Sequence, residues 1–503
     1  MQVASPGARV RAERHRESVS GAWVPVAFVC LSVAAGLVAA LGQPLVIAVF
    51  VGAIGGVALL ARLDIALWIT IIGTLLISGM LAQFAPQLAK AVWLFSMMGF
   101  LLLTGAVLRL ITEHADRQVL PWHAWLALAF PVYVVLVSVA NALSPLEFIA
   151  GFKRYFQYWG IFACLVLVSF SGGTIRQLLR FILAVSLIQV FFALYQHFVI
   201  VPTRIGMGGG VVAIDAVAGT FEASTTGGGS SSILAMFVLI VFAYFLNAWR
   251  EGVLGATRML LASPVLLLPL ALGETKIVVL FLPIVVAVAL QRDIRRHPVT
   301  GMLIILAMIG LTLALAYLYL TMSAKGPEPI ERVLEKIIAY NTGSVGYLSA
   351  SSLNRTTAIS FWWGQQGWHN PLAFLFGNGV GASYIGEGTL IPGHLGVKYF
   401  GLTIGLTGIS SLLWDTGIIG TLWLVAAVVG AIIHCQRTLI SMPNGQVRSI
   451  GIAVSAGLCM NFVLLLYGNS MFALPSHQAI FMLLLAGPVL LARHANGVSG
   501  KSS

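Results

Sequence analysis

The chain has 503 residues, of which 59% are apolar and only 9% are charged, and its formal net charge is +12. Because a soluble protein has about 25% charged residues, this composition excludes an ordinary water-exposed surface and predicts an integral membrane protein. The basic residues stand in small groups between apolar runs. This pattern favours membrane topology and contact with anionic lipid over nucleic-acid binding.

Apolar runs of about 17–25 residues can cross the hydrocarbon core, and they predict an all-α, polytopic bundle of about 14 transmembrane helices. The candidate spans are 23–41, 44–61, 65–83, 90–110, 122–142, 156–172, 178–200, 231–249, 259–273, 276–291, 300–321, 402–433, 449–468 and 477–493. We expect 402–433 to be one span preceded by a shorter, broken segment. The predicted parts are a basic tail at 1–22, helices 1–11 within 23–321 with a loop at 201–230, a large loop at 322–401, the C-terminal helices within 402–493 and a tail at 494–503.

The distribution of Lys and Arg predicts the orientation. With the N-terminus in the cytoplasm, the short outer loops contain few basic residues, namely Lys90, Lys153, Arg154, Arg204 and Lys276. Since basic residues concentrate in cytoplasmic loops, both termini are predicted to be cytoplasmic and the loop at 322–401 to lie outside. Within that loop, 327–340 begins with prolines and has apolar residues at helical spacing, which predicts an amphipathic surface helix.

The outer cations are the first candidates for a binding site. Lys153, Arg154, Arg204, Lys276 and Arg355 would form an electropositive pocket suited to a diphosphate, because a guanidinium binds phosphate oxygens with two parallel hydrogen bonds. The ordinary alternative is that each side chain extends to a lipid headgroup.

Other residues offer less specific signals. Glu274 and Lys276 are either a functional pair at the membrane boundary or a simple interfacial ion pair. His369 and His394 are candidates for a general base, although a histidine in a loop often only hydrogen-bonds at the surface. The motif "GNGVGAS" (377–383) has no preceding strand, which disfavours a dinucleotide site. The sequence has no metal-binding motif and no Walker A motif.

Four short motifs are similar to those of a known family. Arg204 precedes "AGTFEAS", Lys276 in "GETKIVVLFLPI" takes the place of a family arginine, and Asp415 in "SLLWDTGIIG" takes an acidic position. The fourth motif matches the family pattern R…W…P…G-x-G at Arg355, Trp363, Pro371, Gly377 and Gly379. In these residues the chain resembles the bacterial O-antigen ligase and Wzy-type polysaccharide polymerase superfamily of membrane glycosyltransferases.

The resemblance implies a GT-C-type fold in the bacterial inner membrane with an active site that faces the periplasm. The donor would be an undecaprenyl-diphosphate-linked oligosaccharide, with no metal or other cofactor, and a flippase and a chain-length regulator are possible partners. The implied catalytic residues are Arg355 and Arg204. We select His394 as the general base from four available side chains, the others being His369, Glu222 and Glu387. The resemblance also implies that Lys276 binds diphosphate and that Trp363 binds sugar. The charge pattern adds Arg154, Lys153 and Glu274 as candidates for substrate binding.

The resemblance leaves two enzyme activities open. O-antigen ligases carry a histidine at the position of Leu406, followed often by asparagine where this chain has Thr407. This departure favours a polymerase, which joins lipid-linked repeat units, over a ligase, which transfers glycan to lipid A core. The alternative of another class is a polysaccharide transporter or flippase. A transporter is expected to bury ionisable residues near the bilayer midplane and to show internal repeats.

Overall fold

The computed structural model describes residues 55–112, 120–170, 172–205, 213–222, 230–297, 352–386 and 391–499, with a few isolated residues between 299 and 335. The basic tail at 1–22 and the span predicted at 23–41 lie outside these residues. Most of the span at 300–321 and of the amphipathic segment at 327–340 lies outside them as well. The chain divides into two compact units, Met1–Ile65 and Ala66–Ser503.

The described ranges form helices and contain no strand, which confirms the prediction of an all-α protein. We label the helices in chain order: α1 Leu63–Phe84, α2 Val92–Thr112, α3 Trp122–Ala140, α4 Pro145–Phe156, α5 Trp159–Leu167, α6 Gly172–Arg204, α7 Ser230–Arg250, α8 Ala256–Leu272, α9 Val278–Arg296, α10 Arg355–Gln366, α11 Pro371–Phe376, α12 His394–Lys398, α13 Gly408–Ser441, α14 Gln446–Tyr467, α15 Ser470–Ala473 and α16 Pro475–Ser499.

Eight helical segments in the described ranges are long and apolar enough to cross a membrane. They are α1, α2 with its preceding turn, α3, α6, α7, α13, α14 and α16 as far as Ala495. This confirms a multi-pass helical membrane protein in the coarse sense. The total of about 14 spans and the orientation of the bundle stay predictions.

The span predicted at 156–172 is divided. Helix α5 has 9 residues, a length of about 14 Å, and is too short to cross the hydrocarbon alone. The chain breaks between α4 and α5 at Gln157 and Tyr158. There the Tyr158 amide donates to Oε1 of Gln478 in α16 (2.9 Å), and Ser96 in α2 donates to Oε1 of Gln157 (2.8 Å). The first bond satisfies a backbone donor and the second satisfies a side-chain acceptor, so the polar break is stable inside the bundle.

Helix α13 accounts for most of the span predicted at 402–433. It begins with a reciprocal cap, in which Thr407 accepts from the Ser410 amide (3.0 Å) and Ser410 accepts from the Thr407 amide (2.9 Å). Residues 402–407 before it are not helical. The helix is interrupted at Gly417, whose φ of +66° lies in the left-handed region that favours glycine. A Cβ on Gly377 would lie 2.5 Å from the Gly417 amide nitrogen, so a loop reaches α13 at this break.

Candidate functional site

Polar side chains and short loops gather at one end of the bundle, which we call the polar end. It contains the start of α4, α7, α13 and α16 and the end of α1, α6 and α14. Direct contacts join these ends: Glu222, between α6 and α7, accepts from Ser78 of α1 and Ser476 of α16, and the Gly408 amide of α13 donates to the carbonyl of Gly468, just after α14 (2.9 Å).

Residues 217–222, the insertion loop, are non-helical backbone packed among helices. The Thr220 hydroxyl donates to the Leu75 carbonyl of α1 (2.6 Å). The Gln196 side chain of α6 accepts from the amides of Ala218 (3.0 Å) and Gly219 (2.7 Å). Non-helical backbone inside a helix bundle is stable only when other groups satisfy its hydrogen bonds, as they do here.

Two features of the helices make room for the insertion loop. A Cβ on Gly79 of α1 would lie 1.8 Å from the Thr220 carbonyl oxygen, so only glycine permits this approach. Short π-helical turns interrupt α1 at Gly73–Ile77 and α6 at Gln196–Ile200. The first turn contains Leu75 and the second contains Gln196, so each π-turn directs a loop-binding group at the insertion loop. Such turns occur frequently at functional sites.

Glu222 ends the insertion loop, and its carboxylate joins two helices. Oε1 accepts from the Ser78 hydroxyl (2.8 Å), and Oε2 accepts from both the amide and the hydroxyl of Ser476 (3.2 Å each). The residue has a φ of +26°, an uncommon conformation for a non-glycine residue. Burial raises the pKa of Glu222 to about 7, and the hydrogen bonds from Ser78 and Ser476 oppose this rise. Glu222 is therefore a carboxylate that titrates near neutral pH.

Lys153 lies on α4 near this carboxylate, whereas its neighbour Arg154 lies near the carboxylate of Asp415. Burial lowers the pKa of Lys153 to about 8, although the negative charge of Glu222 opposes this change. The ammonium lies 4.1 Å from the centre of the Trp93 ring. Arg154 is only 6% exposed, and its guanidinium lies 4.2 Å from the centre of the Tyr384 ring. Within the described residues, Nε of Arg154 has no hydrogen-bond partner. A buried guanidinium with an unused donor is suited to an anionic ligand.

His394, the first residue of α12, is paired with the carboxylate of Glu147 near the start of α4. Its Nδ1 lies 2.7 Å from Oε1 of Glu147, and its backbone amide donates to the same oxygen (3.0 Å). An ionised carboxylate can only accept, so Nδ1 donates and Nε2 remains as the proton-accepting nitrogen. The His394 side chain is 49% exposed and that of Glu147 is 12% exposed. This arrangement, a histidine oriented by a carboxylate, is typical of a general base.

A second loop, residues 377–386, positions His394 and Tyr384. We call it the glycine loop. Its Gly381 and Ser383 amides donate to the carboxylate of Asp415 in α13 (3.0 and 2.8 Å), which also accepts from the Tyr155 hydroxyl of α4 (2.8 Å). The Leu395 and Gly396 amides, next to His394, donate to the Ala382 carbonyl (3.0 and 2.9 Å). Asp415 is fully buried. The motif "GNGVGAS" therefore encloses a carboxylate of the protein itself.

Arg204 and Lys276 lie around Asp215, which comes before the insertion loop. Burial raises the pKa of Asp215, while Lys276 and Arg204 are close enough to oppose that rise. Arg204 is buried, whereas Lys276 and Glu274 are exposed in the turn between α8 and α9. Arg204 and Lys276 are thus both close to the carboxylate of Asp215, a residue that the sequence did not indicate.

Arg355 and Trp363 lie on α10, away from the contacts of Arg154. Nε of Arg355 donates to the Tyr467 carbonyl at the end of α14 (2.8 Å), and the guanidinium lies 4.1 Å from the centre of the Tyr467 ring. Trp363 is 53% exposed and meets Phe374 edge to face. The neighbouring Trp362 is buried and stacks on Phe374. The exposed ring of Trp363 is therefore available to a ligand.

Sequence reasoning missed Glu147, Tyr384 and Asp215. The signal for Glu147 was present, since the serine-to-glutamate spacing from Ser144 is that of a helix start. Nothing local connects Glu147 with His394, which lies 247 positions later. In the described residues, no group of three or more His, Cys, Asp and Glu side chains is arranged to hold a metal ion.

Comparison with known proteins adds no further constraint on this site. No protein-family model matches the chain, and a search of curated proteins finds no match.

Proposed function

We propose that the protein is a Wzy-type polymerase, which joins undecaprenyl-diphosphate-linked oligosaccharide units at the periplasmic side of the bacterial inner membrane. The proposal keeps the resemblance found in the sequence. The observation that carries it is that α4 contributes both a buried cation with an unused donor and the carboxylate of a histidine–carboxylate pair. Arg154 provides the first and His394 with Glu147 provides the second.

This combination supports glycosyl transfer from a diphosphate. The hydroxyl oxygen of the acceptor sugar forms a bond with the anomeric carbon of the donor, and the bond from that carbon to the diphosphate oxygen breaks. The hydroxyl proton moves to Nε2 of His394, and the diphosphate leaves with the bonding electrons. Arg154 and Lys153 stabilise its growing negative charge, and fixed cations in a site poor in water are an effective way to do so.

The remaining cations have supporting roles in the proposal. Arg355 and the Arg204–Lys276 group contact other elements of the polar end. They would bind the second lipid-linked substrate or the distal sugars of the donor. Trp363 would offer its exposed ring to a sugar face, a common use of tryptophan.

The test is a reconstituted assay with the full-length chain in lipid nanodiscs and undecaprenyl-diphosphate-linked repeat units. We expect long glycan that is still attached to undecaprenyl diphosphate. Glycan transferred to added lipid A core would instead identify a ligase. Movement of the donor across a vesicle membrane without bond formation would identify a transporter. Either of these two results would overturn the proposal.

The site assignment is tested with Arg154→Gln in the same assay. We expect a loss of activity of about 100-fold or more, the size seen when one charge-stabilising group is removed. The matched control is Arg176→Gln, which removes an exposed arginine at the start of α6. An Arg154→Gln protein with the wild-type size-exclusion profile and full activity would exclude Arg154 from the reaction.

A further inference from the structure

A second polar site lies at the opposite end of the bundle. It is a cavity of about 160 Å³ between the end of α7, the end of α9 and the start of α14. At the polar end, α7 begins with Ser230, α9 begins with Val278 and α14 ends with Tyr467, and α7 and α14 have 21 and 22 residues. At 1.5 Å per residue, this separates the cavity from the polar end by about 30 Å.

The floor of the cavity contains two ion pairs. Arg448 is 5% exposed, and its Nε lies 3.0 Å from Oε1 of Glu251. It also donates from Nη1 to the carbonyls of Leu439 (3.0 Å) and Met442 (3.1 Å). Arg250 pairs with Asp293 across the gap between α7 and α9. Each cation is matched by one carboxylate, so the floor is close to neutral and fixes the three helices.

The rim of the cavity carries excess positive charge. Arg292 and Arg296 are both exposed and lie four residues apart on α9, so they occupy one face of the helix. Arg292 donates to Oδ1 of Asn444, just before α14 (3.0 Å). Within the described residues, neither arginine forms a recorded ion pair. Two guanidinium groups therefore border a polar cavity whose carboxylates are already engaged.

The size and the donors of the cavity define the ligand. A water molecule occupies about 30 Å³ in the liquid, so the cavity has room for a tetrahedral phosphate group. Arginine is the side chain best suited to phosphate oxygens, because its planar fork donates two parallel hydrogen bonds. The charge pattern predicts that this end faces the cytoplasm, and basic pockets between helices on that side recognise anionic headgroups.

We propose that this cavity binds one phosphate group, held by Arg292 and Arg296, at the end of the bundle opposite the polar end. Two sources share this chemistry, namely the phosphodiester of an anionic lipid such as phosphatidylglycerol and free inorganic phosphate. The site is independent of the proposed polymerase activity. A phosphate that binds only where the folded bundle forms the cavity stabilises the folded state by mass action.

The experiment measures thermal unfolding of the full-length protein in three nanodisc preparations. These are phosphatidylcholine alone, phosphatidylcholine with added phosphatidylglycerol, and phosphatidylcholine with inorganic phosphate in the buffer. We expect a higher midpoint in the second preparation if the source is lipid and in the third if it is free phosphate. Native mass spectrometry in the second preparation gives the number of retained lipids, which we expect to be one at this site.

Two double variants decide the site. Arg292→Ala with Arg296→Ala should abolish the midpoint shift and weaken lipid or phosphate retention roughly thirtyfold. Each cation near an anionic surface contributes about fivefold to binding, and the double variant removes two. Arg292→Lys with Arg296→Lys keeps the charges and should restore part of the shift. The matched control is Arg176→Ala with Arg180→Ala, an exposed pair with the same spacing at the start of α6.

The outcomes separate the site from a general effect of charge. A shift that is lost in the cavity variant and kept in the α6 variant supports the proposal. An equal shift in the wild type and the cavity variant would overturn it, and so would an equal loss in both alanine variants. The absence of any shift with either phosphate source would overturn it as well.

Discussion

Two loops at the polar end are each associated with a carboxylate, and the two carboxylates have different surroundings. Glu222 belongs to the insertion loop, whereas Asp415 lies on α13 and accepts from the glycine loop. Asp415 is fully buried and accepts from two backbone amides and the Tyr155 hydroxyl. Glu222 accepts from Ser78 and from the amide and hydroxyl of Ser476, and it lies near Lys153. Backbone amides cannot change charge, whereas Lys153 can.

This difference separates a structural acid from one that responds to pH. The Asp415 carboxylate joins the glycine loop to α4 and α13, and the same loop holds the segment that contains His394. Glu222 and Lys153 instead form a pair whose charges both change near neutral pH. We infer that the glycine loop fixes the geometry of the site, while the insertion loop sets its charge.

The largest effect is expected from Asp415→Ala. Three buried donors would lose their acceptor, and each unsatisfied donor costs about 1–3 kcal/mol. We expect loss of folded, monodisperse protein in fluorescence-detected size-exclusion chromatography. The control is Glu274→Ala, which removes an exposed carboxylate at the same end. A well-folded Asp415→Ala protein with normal activity would show that the glycine loop does not depend on Asp415.

The elements that the sequence predicted well are those determined by local pattern. The spans at 122–142, 231–249 and 449–468 correspond to α3, α7 and α14 within a few residues, because continuous apolar runs determine them. The break between α4 and α5 was not predicted, since Gln157 and Tyr158 are held by side chains far along the chain. An apolar run does not reveal which of its polar groups has a partner on another helix.

At the candidate site, the sequence indicated individual residues but not the distant residues that they contact. The sequence selected Arg154, Arg204 and His394 as candidates, and their roles stay predictions. Their partners were not predictable, because the contact of His394 with Glu147 and that of Asp415 with Gly381 join separate segments. Close approach at Gly79 of α1 places the insertion loop, and a glycine in an apolar run gives no sign of its neighbour.

The second largest effect is expected from His394→Ala, which removes the proposed proton acceptor without disturbing the glycine loop. Loss of a general base lowers the rate by about 100-fold or more. We expect that loss in the polymerisation assay, with an unchanged chromatographic profile. The matched control is His369→Ala, because His369 is also exposed in the large loop. Equal activity of the two variants would remove His394 from the mechanism.

A smaller effect is expected on the pH dependence of activity, through Lys153 beside the insertion loop. Lys153 is positively charged below about pH 8 and loses its charge above that value. If this charge stabilises the leaving diphosphate, wild-type activity should fall several-fold between about pH 7.5 and pH 9. Lys153→Arg keeps its charge throughout this range and should lose less activity. Parallel pH profiles of the wild type and Lys153→Arg would show that another group causes the decline.

The last effect is expected from Glu222→Gln and concerns stability rather than activity. Burial raises the pKa of Glu222 from 4.5 to about 7, so the folded state holds this proton more tightly than the unfolded chain does. The stabilising contribution is therefore complete below about pH 4.5 and is lost as the pH rises to about 7, with about 1.4 kcal/mol for each pKa unit. Glutamine has no such titration. Between about pH 5 and pH 7 the unfolding midpoint of the wild type should fall relative to that of Glu222→Gln. The same measurement on Glu274→Gln, which changes an exposed carboxylate, should show no relative change.

A constant difference between Glu222→Gln and the wild type across this range would mean that Glu222 is ionised throughout. The carboxylate would then serve the insertion loop as Asp415 serves the glycine loop, as a fixed acceptor.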